Sequence, residues 1–395
     1  MIFDTIVIGK GLIGAAAAKY LSSPKNKVAL IGPDEPRNPD KAMVFASHYD
    51  QGRIQRIIGT DEVWTKLNLT SARQYQSIEK QSGITFHNQD GCLYVNPRGV
   101  DEYLSNAAQQ AQQAGISYTP FKTAKEITSF FPGFIFPASS EGLFETAPSG
   151  SINPRLLIKA QLKLLQQNKG VVINDMAIKI EYEKNMFTVT TGENKTYFSG
   201  KILLCPGAFI NFFPLTEKKL DLDLKSETVL LAEVTEDEAK RLSNLPSLLY
   251  EIETANYRNI YLIKPLQYPD GKFYLKMGCN LPGDIHFDTL AEVQDWFRKG
   301  NSDAHLPVLK EALISIMPSL QAKNFITGRC MVSYTRHRKE YIGEIENDGL
   351  FVACGGNGYS AMCADAIGKI AARVVLQGSF PPEFSEASFA PVFTK

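Results

Sequence analysis

With 395 residues, 44% of them hydrophobic and 21% charged, the chain has the make-up of a soluble globular protein of two or three folding units at about 150 residues each. Its 42 Lys and Arg balance 42 Asp and Glu, so nothing in the charge calls for nucleic acid or an anionic membrane as a partner. Cys92, Cys205, Cys279, Cys330, Cys354 and Cys363 stand singly with no C-x-x-C pair, which argues against a zinc site and a disulfide framework and points to a reducing, cytoplasmic setting.

Residues 4–8 (DTIVI) read as a short buried parallel strand, followed by the turn GKGLIG (Gly9 to Gly14) and an alanine-rich helix start. This opening is apolar, but it has no basic residue before the apolar run and is interrupted by Lys10 and glycines, so it reads as fold and not as a signal peptide. No other stretch approaches the ~20 apolar residues of a membrane span. In strand–turn–helix context each glycine has its own physical task. Gly9 permits the tight turn, Gly11 lets a pyrophosphate approach the backbone, and Gly14 lets helix and strand pack closely. The helix N-terminus, at Leu12 and Ile13, then offers free N–H groups to the phosphates.

The second strand, 27–32 (KVALIG), ends on Gly32, where such folds usually place the acid that binds the adenosine ribose. Asp34, Glu35 or backbone groups remain as alternatives, and a purely NAD-based reading is weakened. A polar turn, ASHYDQGRIQR (46–56), leads into a helix with Thr60 as N-cap, Asp61 and Glu62 in the first turn, and Trp64, Leu67, Tyr75 and Ile78 on one face. From 86 to 144 the pattern is mixed: strand-like ITF and CLYV, a helix near 101–114, and the loop FFPGFIFP.

A helix at 153–167 and strands near 171–174 and 186–192 precede KILLCPGAFI (201–210), a buried strand entering a small-residue turn. Between 226 and 280 strands alternate, among them NIYLIKP and KFYLKMG, and helices are predicted at about 289–298 and 307–316. A strand at 349–356 and a helix from about 363 to 377 close the pattern. The dinucleotide-type unit therefore opens the chain and is completed at its end, around strand-rich material. Such a discontinuity is typical of flavin enzymes, in which an inserted domain roofs the isoalloxazine ring.

Three segments, SHYDQGRIQR, FYLKMG and GRCMVSYT, with VACGGNGYS after them, resemble in this order the D-amino-acid-oxidase-like flavoprotein superfamily, and within it the monomeric sarcosine oxidase branch. The resemblance implies an α/β FAD-binding domain, Rossmann-like and of glutathione-reductase type, with an inserted α+β substrate domain containing a mixed or antiparallel sheet. The FAD-binding domain is expected over 1–85, 145–215 and 325–395, and the substrate domain over 86–144 and 216–324. The cofactor implied is FAD, with Gly9, Gly11, Leu12, Ile13, Gly14, Asp34, Ser47, His48, Arg53, Ala177, Gly207, Cys330, Gly356, Asn357, Gly358 and Tyr359 as its expected contacts.

Arg53 and Arg56 match a family pair of which the first lies close to the flavin ring and the second binds the substrate carboxylate. A guanidinium suits that task because it gives a carboxylate two parallel charge-assisted bonds. An isolated R-x-x-R would otherwise be two solvated residues before a helix. Lys276, between apolar and aromatic neighbours on a predicted strand, matches a lysine that sits over the flavin and promotes oxygen reduction, since a fixed positive charge stabilises a superoxide-like state. Lysines at strand ends also simply snorkel. Tyr261 and Tyr359 are expected to line the substrate site, and no proton-transfer role is assigned to His48 or Tyr49.

Cys330 follows a Gly-Arg turn and matches the cysteine that some relatives bond to the flavin 8-methyl carbon; the alternative is a plain buried thiol. SYTRHRKEYIGE after it is one residue longer than in that branch. Where the family often has a second carboxylate-binding lysine, this chain has Ser360 and Met362, and the loop to Gly368 is longer, so the amine cannot simply be taken as sarcosine.

The function implied is an FAD-dependent oxidase of a primary or secondary amine, an amino acid or N-alkyl amino acid, with hydride transfer to flavin N5 and reoxidation by O2 to H2O2. The expected partners are the small-molecule amine and O2, with the protein a monomer or small homo-oligomer. Alternatives are a dehydrogenase of the same superfamily passing electrons to another acceptor, a non-enzymatic or RNA-modifying relative, and a nicotinamide dehydrogenase.

Overall fold

Short aliphatic strands at the start of the chain are buried on both faces, as a parallel sheet between other layers requires. The computed structural model describes residues 1–98, 102–346 and 349–394. The chain begins β1 (Ile2–Ile8), α1 (Leu12–Leu21), β2 (Val28–Ile31), β3 (Arg53–Gln55), α2 (Glu62–Ser82), β4 (His87–Asn88). Then come β5 (Cys92–Asn96), α3 (Glu102–Ala114), β6 (Tyr118–Phe121), α4 (Ala124–Phe130), β7 (Glu141–Glu145) and β8 (Gly150–Ile152). These are followed by α5 (Pro154–Gln167), β9 (Val171–Ile173), β10 (Ala177–Glu183), β11 (Met186–Thr191) and β12 (Thr196–Leu204). Next are β13 (Leu222–Val234), α6 (Glu236–Arg241), β14 (Ser247–Glu253), β15 (Arg258–Gln267), β16 (Phe273–Asn280) and α7 (Leu290–Lys299). The chain closes with α8 (Leu306–Ile316), β17 (Ala322–Thr335), β18 (Tyr341–Glu346), β19 (Leu350–Cys354) and α9 (Ser360–Gln377).

The first sheet runs β10-β11-β12-β1-β2-β9, with β19 alongside β12 and β18 alongside β19. β12, β1, β2, β9 and β19 are parallel, so their carboxyl ends open on one edge. Helices α1, α2, α5 and α9 pack together against this sheet. α1 and α9 approach closely because Ala16 and Ala17 face Gly368, where a Cβ would stand 2.6 Å from Ala16 Cβ. Beside that contact the fully buried Asp365 accepts from Lys19 Nζ (2.7 Å), Tyr20 Oη (2.7 Å) and Gln161 Nε2 (2.8 Å), tying α9 to α1 and α5.

The second sheet has the order β17-β13-β16-β15-β14-β5-β7-β6 and is antiparallel except for the β14–β5 pair. One face is apolar by strict alternation: Leu230, Ala232, Leu275 and Met277 pack on Leu309, Leu313 and Ile316 of α8. The other face carries Tyr261, Lys276 and Cys330. A third sheet, β3-β8-β4, lies between the two chain segments that build them.

Several local expectations are corrected. The α2 cap is Asp61, not Thr60: its carboxylate accepts from Trp64 N at 3.0 Å. The small-residue turn expected in 201–210 is present as a 3-10 turn over 207–212, but the strand already ends at Leu204, because Pro206 has no backbone donor to continue it. α9 begins at Ser360, three residues before the predicted start, and the predicted helix near 101–114 is α3, residue 101 lying outside the described residues. Gly328 and Arg329 are mid-strand in β17 and form no turn, because this edge strand pairs with β13 along its whole length. Residues 325–335 thus belong to the second sheet, while the sequence reading groups them with the first unit.

Candidate functional site

Antiparallel pairing fixes which side chains share the open face of the second sheet. Lys276 of β16 is opposite Leu231 of β13 and Ile263 of β15; Gly278 is opposite Val229 and Tyr261; Cys330 of β17 is opposite Glu227. Directly paired residues project to one side, and so do residues two apart. Lys276, Tyr261, Glu227 and Cys330 therefore lie on a common face, with the glycines Gly278 and Gly328 between them. Lys276 is 3% exposed, and its Nζ contacts the Asp50 carboxylate and Gly52 O (3.2 Å), 5.7 Å from the centre of the Tyr261 ring. Burial, and then the Arg53 guanidinium, pushes its ammonium well below the usual lysine range, with Cys330 and Glu227 opposing.

The loop before β3 supplies the opposite wall. Asp50 pairs with both Lys276 and Arg53 and accepts from Tyr268 Oη at 2.9 Å. Arg53 further donates to Ser47 O (2.7 Å) and Gly52 O (3.2 Å). Arg56, three residues on, is 5% exposed, and among the described residues no carboxylate lies within 4.0 Å of it. Its Nε has no partner, and its Cζ sits 5.4 Å from the Tyr359 ring and 5.7 Å from the Tyr94 ring. The fully buried Glu145 fixes the backbone just beyond it, accepting from Ile57 N (2.8 Å), Ser149 Oγ (2.6 Å) and Tyr94 Oη (2.8 Å).

At the other end, the carboxyl edge of β1, β2 and β9 carries the glycine turn. Gly9 has φ +110°, and a Cβ there would collide with Cys205 O; one at Gly14 would collide with Gly9 O; at Gly11 nothing stands within 4 Å. Gly11 caps α1 without a side-chain bond, so the N–H groups of Leu12, Ile13 and Gly14 begin the helix beside open space. This cradle fits a dinucleotide pyrophosphate. At the ribose position Lys10, 6% exposed, packs over Gly32 and reaches Asp34 and Asn174 Oδ1 (2.5 Å). Asp34 is thereby paired and largely exposed, while Glu35 is held by two bonds from Arg155. Each acid is thus already engaged in an ion pair.

The remaining expected contacts distribute as follows. Ser47 is exposed. His48 is half-buried, and burial, then Arg155, Lys10 and Arg53, lower its pKa to about 3, so the imidazole is neutral. Ala177 is buried at the start of β10, and Gly207 turns with φ +61° after β12. Gly356, Asn357, Gly358 and Tyr359 form the turn into α9, laced to β17 through Asn357 N to Ser333 O (2.8 Å) and Thr335 N to Asn357 Oδ1 (2.9 Å). Tyr359 also stacks edge-on against Trp64 at 5.2 Å. Cys330 is half-buried and free, its carbonyl accepting from Trp296 Nε1 (2.8 Å).

Sequence reasoning did not single out Lys10, Asp50, Glu145, Glu227 or Glu340. Asp50 had a signal, an acid three residues before Arg53. Glu227 and Glu340 had none without the strand register. Glu340 is fully buried, its Oε1 bonded by Ser360 Oγ and its Oε2 without a partner; burial raises its pKa to about 7. Among the described residues no His/Cys/Asp/Glu group is arranged to hold a metal, and no helix is long and apolar enough to cross a membrane.

The family described as FAD dependent oxidoreductase (DAO) matches residues 4–374. The chain is 23% identical over 389 residues to monomeric sarcosine oxidase of Bacillus sp. (strain B-0618), covering 97% of this chain and 94% of that one. Against monomeric sarcosine oxidase of Bacillus sp. (strain NS-129) the identity is 24% over 259 residues, 65% of each chain, just under two thirds of that relative's length. Among solved structures, the open form of NikD, an unusual amino acid oxidase essential for nikkomycin biosynthesis, superposes with a TM-score of 0.78 at 18% identity, covering 100% of this chain and 98% of that one.

Proposed function

The chain belongs to the DAO family of FAD-dependent oxidoreductases, and from that premise we propose that it oxidises a primary or secondary amine bearing a carboxylate, an amino acid or N-alkyl amino acid, and uses O2 as the final acceptor. When bound, FAD supplies the two-electron chemistry, taking a hydride equivalent from the carbon beside the amine nitrogen and returning the electrons to oxygen.

The observation that carries the carboxylate is Arg56. A guanidinium buried to 5% exposure, with no carboxylate within 4.0 Å among the described residues, is costly unless a ligand completes it. The Tyr94 and Tyr359 rings fix its plane, and Glu145 holds the backbone it hangs from, so its fork is oriented before a carboxylate arrives. Lys276 supports the oxidase reading. Its ammonium is held in a dry place by Asp50 and Gly52 O, where a positive charge is worth more than in water.

Arg53 shares Asp50 and is aimed by two carbonyls, which suits a fixed cation against the ring system. The glycine turn, α1 and the Lys10–Asn174–Asp34 cluster suit the pyrophosphate and adenosine end. Cys330 shares the sheet face with Lys276; its thiol either bonds to the cofactor or stays free. The nucleotide is assigned to the segments of the first sheet and the substrate to the open face of the second.

The test is to purify the yellow protein, add carboxylate-bearing amines without oxygen, and then admit oxygen. Bleaching followed by recovery of colour with one peroxide per turnover is expected. Bleaching without peroxide would replace the oxidase by a dehydrogenase, and no bleaching by any amine would sink the reading. Acid precipitation decides Cys330: colour in the pellet means a covalent link, and colour in the supernatant a plain thiol.

A further inference from the structure

Glu227 is an acid on the open sheet face that the proposed chemistry does not use. It sits half-buried on β13, opposite Cys330, and the missing side chain of Gly278 lets the Tyr261 ring lie across β16 toward it; a Cβ at 278 would collide with that ring. The Tyr261 hydroxyl donates to Glu227 Oε1 at 2.8 Å, which orients the carboxylate. Among the described residues no Lys or Arg lies within 4.0 Å of it. Lys225, two residues away on the same face, is committed to Asp284 (2.7 Å) and Asn280 (3.0 Å), and Lys276 is committed to Asp50.

The surrounding charge makes this acid informative. Lys276 and Arg53 meet here with one compensating carboxylate, Asp50, between them, and Arg56 follows three residues after Arg53. Such a chamber attracts a carboxylate but repels the ammonium that an amine carries in neutral water. An acid on the same face, with no Lys or Arg within 4.0 Å among the described residues, reverses that repulsion locally. We infer that Glu227, oriented by Tyr261, is a second substrate anchor that takes an ammonium group while Arg56 takes the carboxylate. This rests on the proposed amine chemistry. The ammonium belongs either to the reacting nitrogen or to a second basic group farther along the substrate.

Three ligands that lack an oxidisable α-amine separate the cases by their perturbation of the bound flavin spectrum: propionate, trimethylglycine and 6-aminohexanoate. In the wild-type holoenzyme one of the two cationic ligands is expected to bind about tenfold or more tightly than propionate. Glu227→Gln should erase that advantage and leave propionate within about twofold. A preference for trimethylglycine assigns Glu227 to the reacting nitrogen; a preference for 6-aminohexanoate assigns it to a second basic group. An advantage that survives in Glu227→Gln, or no advantage in the wild type, overturns the inference. Propionate binding that is absent, or indifferent to Arg56→Ala, overturns the carboxylate reading instead, and the cationic ligands still report on Glu227. Tyr261→Phe is the second variant, expected to lose part of the same advantage, with flavin content and Tm confirming that each variant folds.

Discussion

Arg53 and Arg56 sit three residues apart at the same short strand, yet one is electrically closed and the other open. Arg53 shares the Asp50 carboxylate with Lys276 and donates to two carbonyls. Arg56 is the more deeply buried, with the Tyr94 and Tyr359 rings beside it and no carboxylate within 4.0 Å among the described residues. Folding alone accounts for Arg53, because its partners are supplied by the chain. It does not account for Arg56, which has no carboxylate within 4.0 Å among the described residues. A pair of like residues thus separates into one closed by the chain itself and one left for the proposed carboxylate substrate.

The comparison breaks most directly at Asp50. Asp50→Asn leaves Lys276 and Arg53 as buried cations without their acid, and a stability loss of about 3–5 kcal/mol is expected, read as a fall in the denaturant midpoint. Arg56→Met should do the reverse, holding or raising the midpoint because no partner is orphaned; a loss as large as that of Asp50→Asn would mean that Arg56 is closed after all. For function the order inverts. Arg56→Ala is expected to weaken a carboxylate substrate by about 2–5 kcal/mol in apparent constant, with Arg56→Lys recovering part of it, and an unchanged constant would show that the carboxylate is held elsewhere.

Lys276→Met should slow oxygen-dependent recovery of colour by about a hundredfold and change reduction by substrate far less; equal recovery rates in stopped-flow traces would remove Lys276 from the oxygen step. The last effect concerns Glu340, bonded to Ser360 beside the turn that presents Tyr359 to Arg56. Its native pKa of about 7 lies above the ordinary 4.5 of a glutamate. Between those values the native state holds a proton that the unfolded chain has lost, so stability falls as pH rises from about 4.5 and the loss is complete just above 7, amounting to roughly 3 kcal/mol. Glu340→Gln should flatten that slope in thermal melts and be the more stable protein at pH 8.

Much of this was readable along the chain. GKGLIG followed a strand and opened a helix, and Gly9 and Gly14 proved to have contacts that no Cβ permits. The alternation in FYLKMG placed Lys276 opposite in direction to the buried Leu275 and Met277. The Gly-Arg step before Cys330 misled, because a glycine in a long edge strand has the same local signature as one in a turn. Asp61 outcompeted Thr60 as a cap because the carboxylate, one residue later, reaches Trp64 N.

The sequence by itself determined the glycine turn between the first strand and helix, the period of the strands and helices, and the order of the segments that carry the arginines, the lysine and the cysteine. These are local properties, set by backbone sterics and by which residues must leave water. Only the tertiary structure decided that Asp50 closes Arg53 and Lys276, that Arg56 stays open, and that Glu227 shares their space. Charge pairing depends on distances between segments far apart in the chain, and a one-residue change of register would turn Lys276 or Glu227 to the opposite face of its sheet.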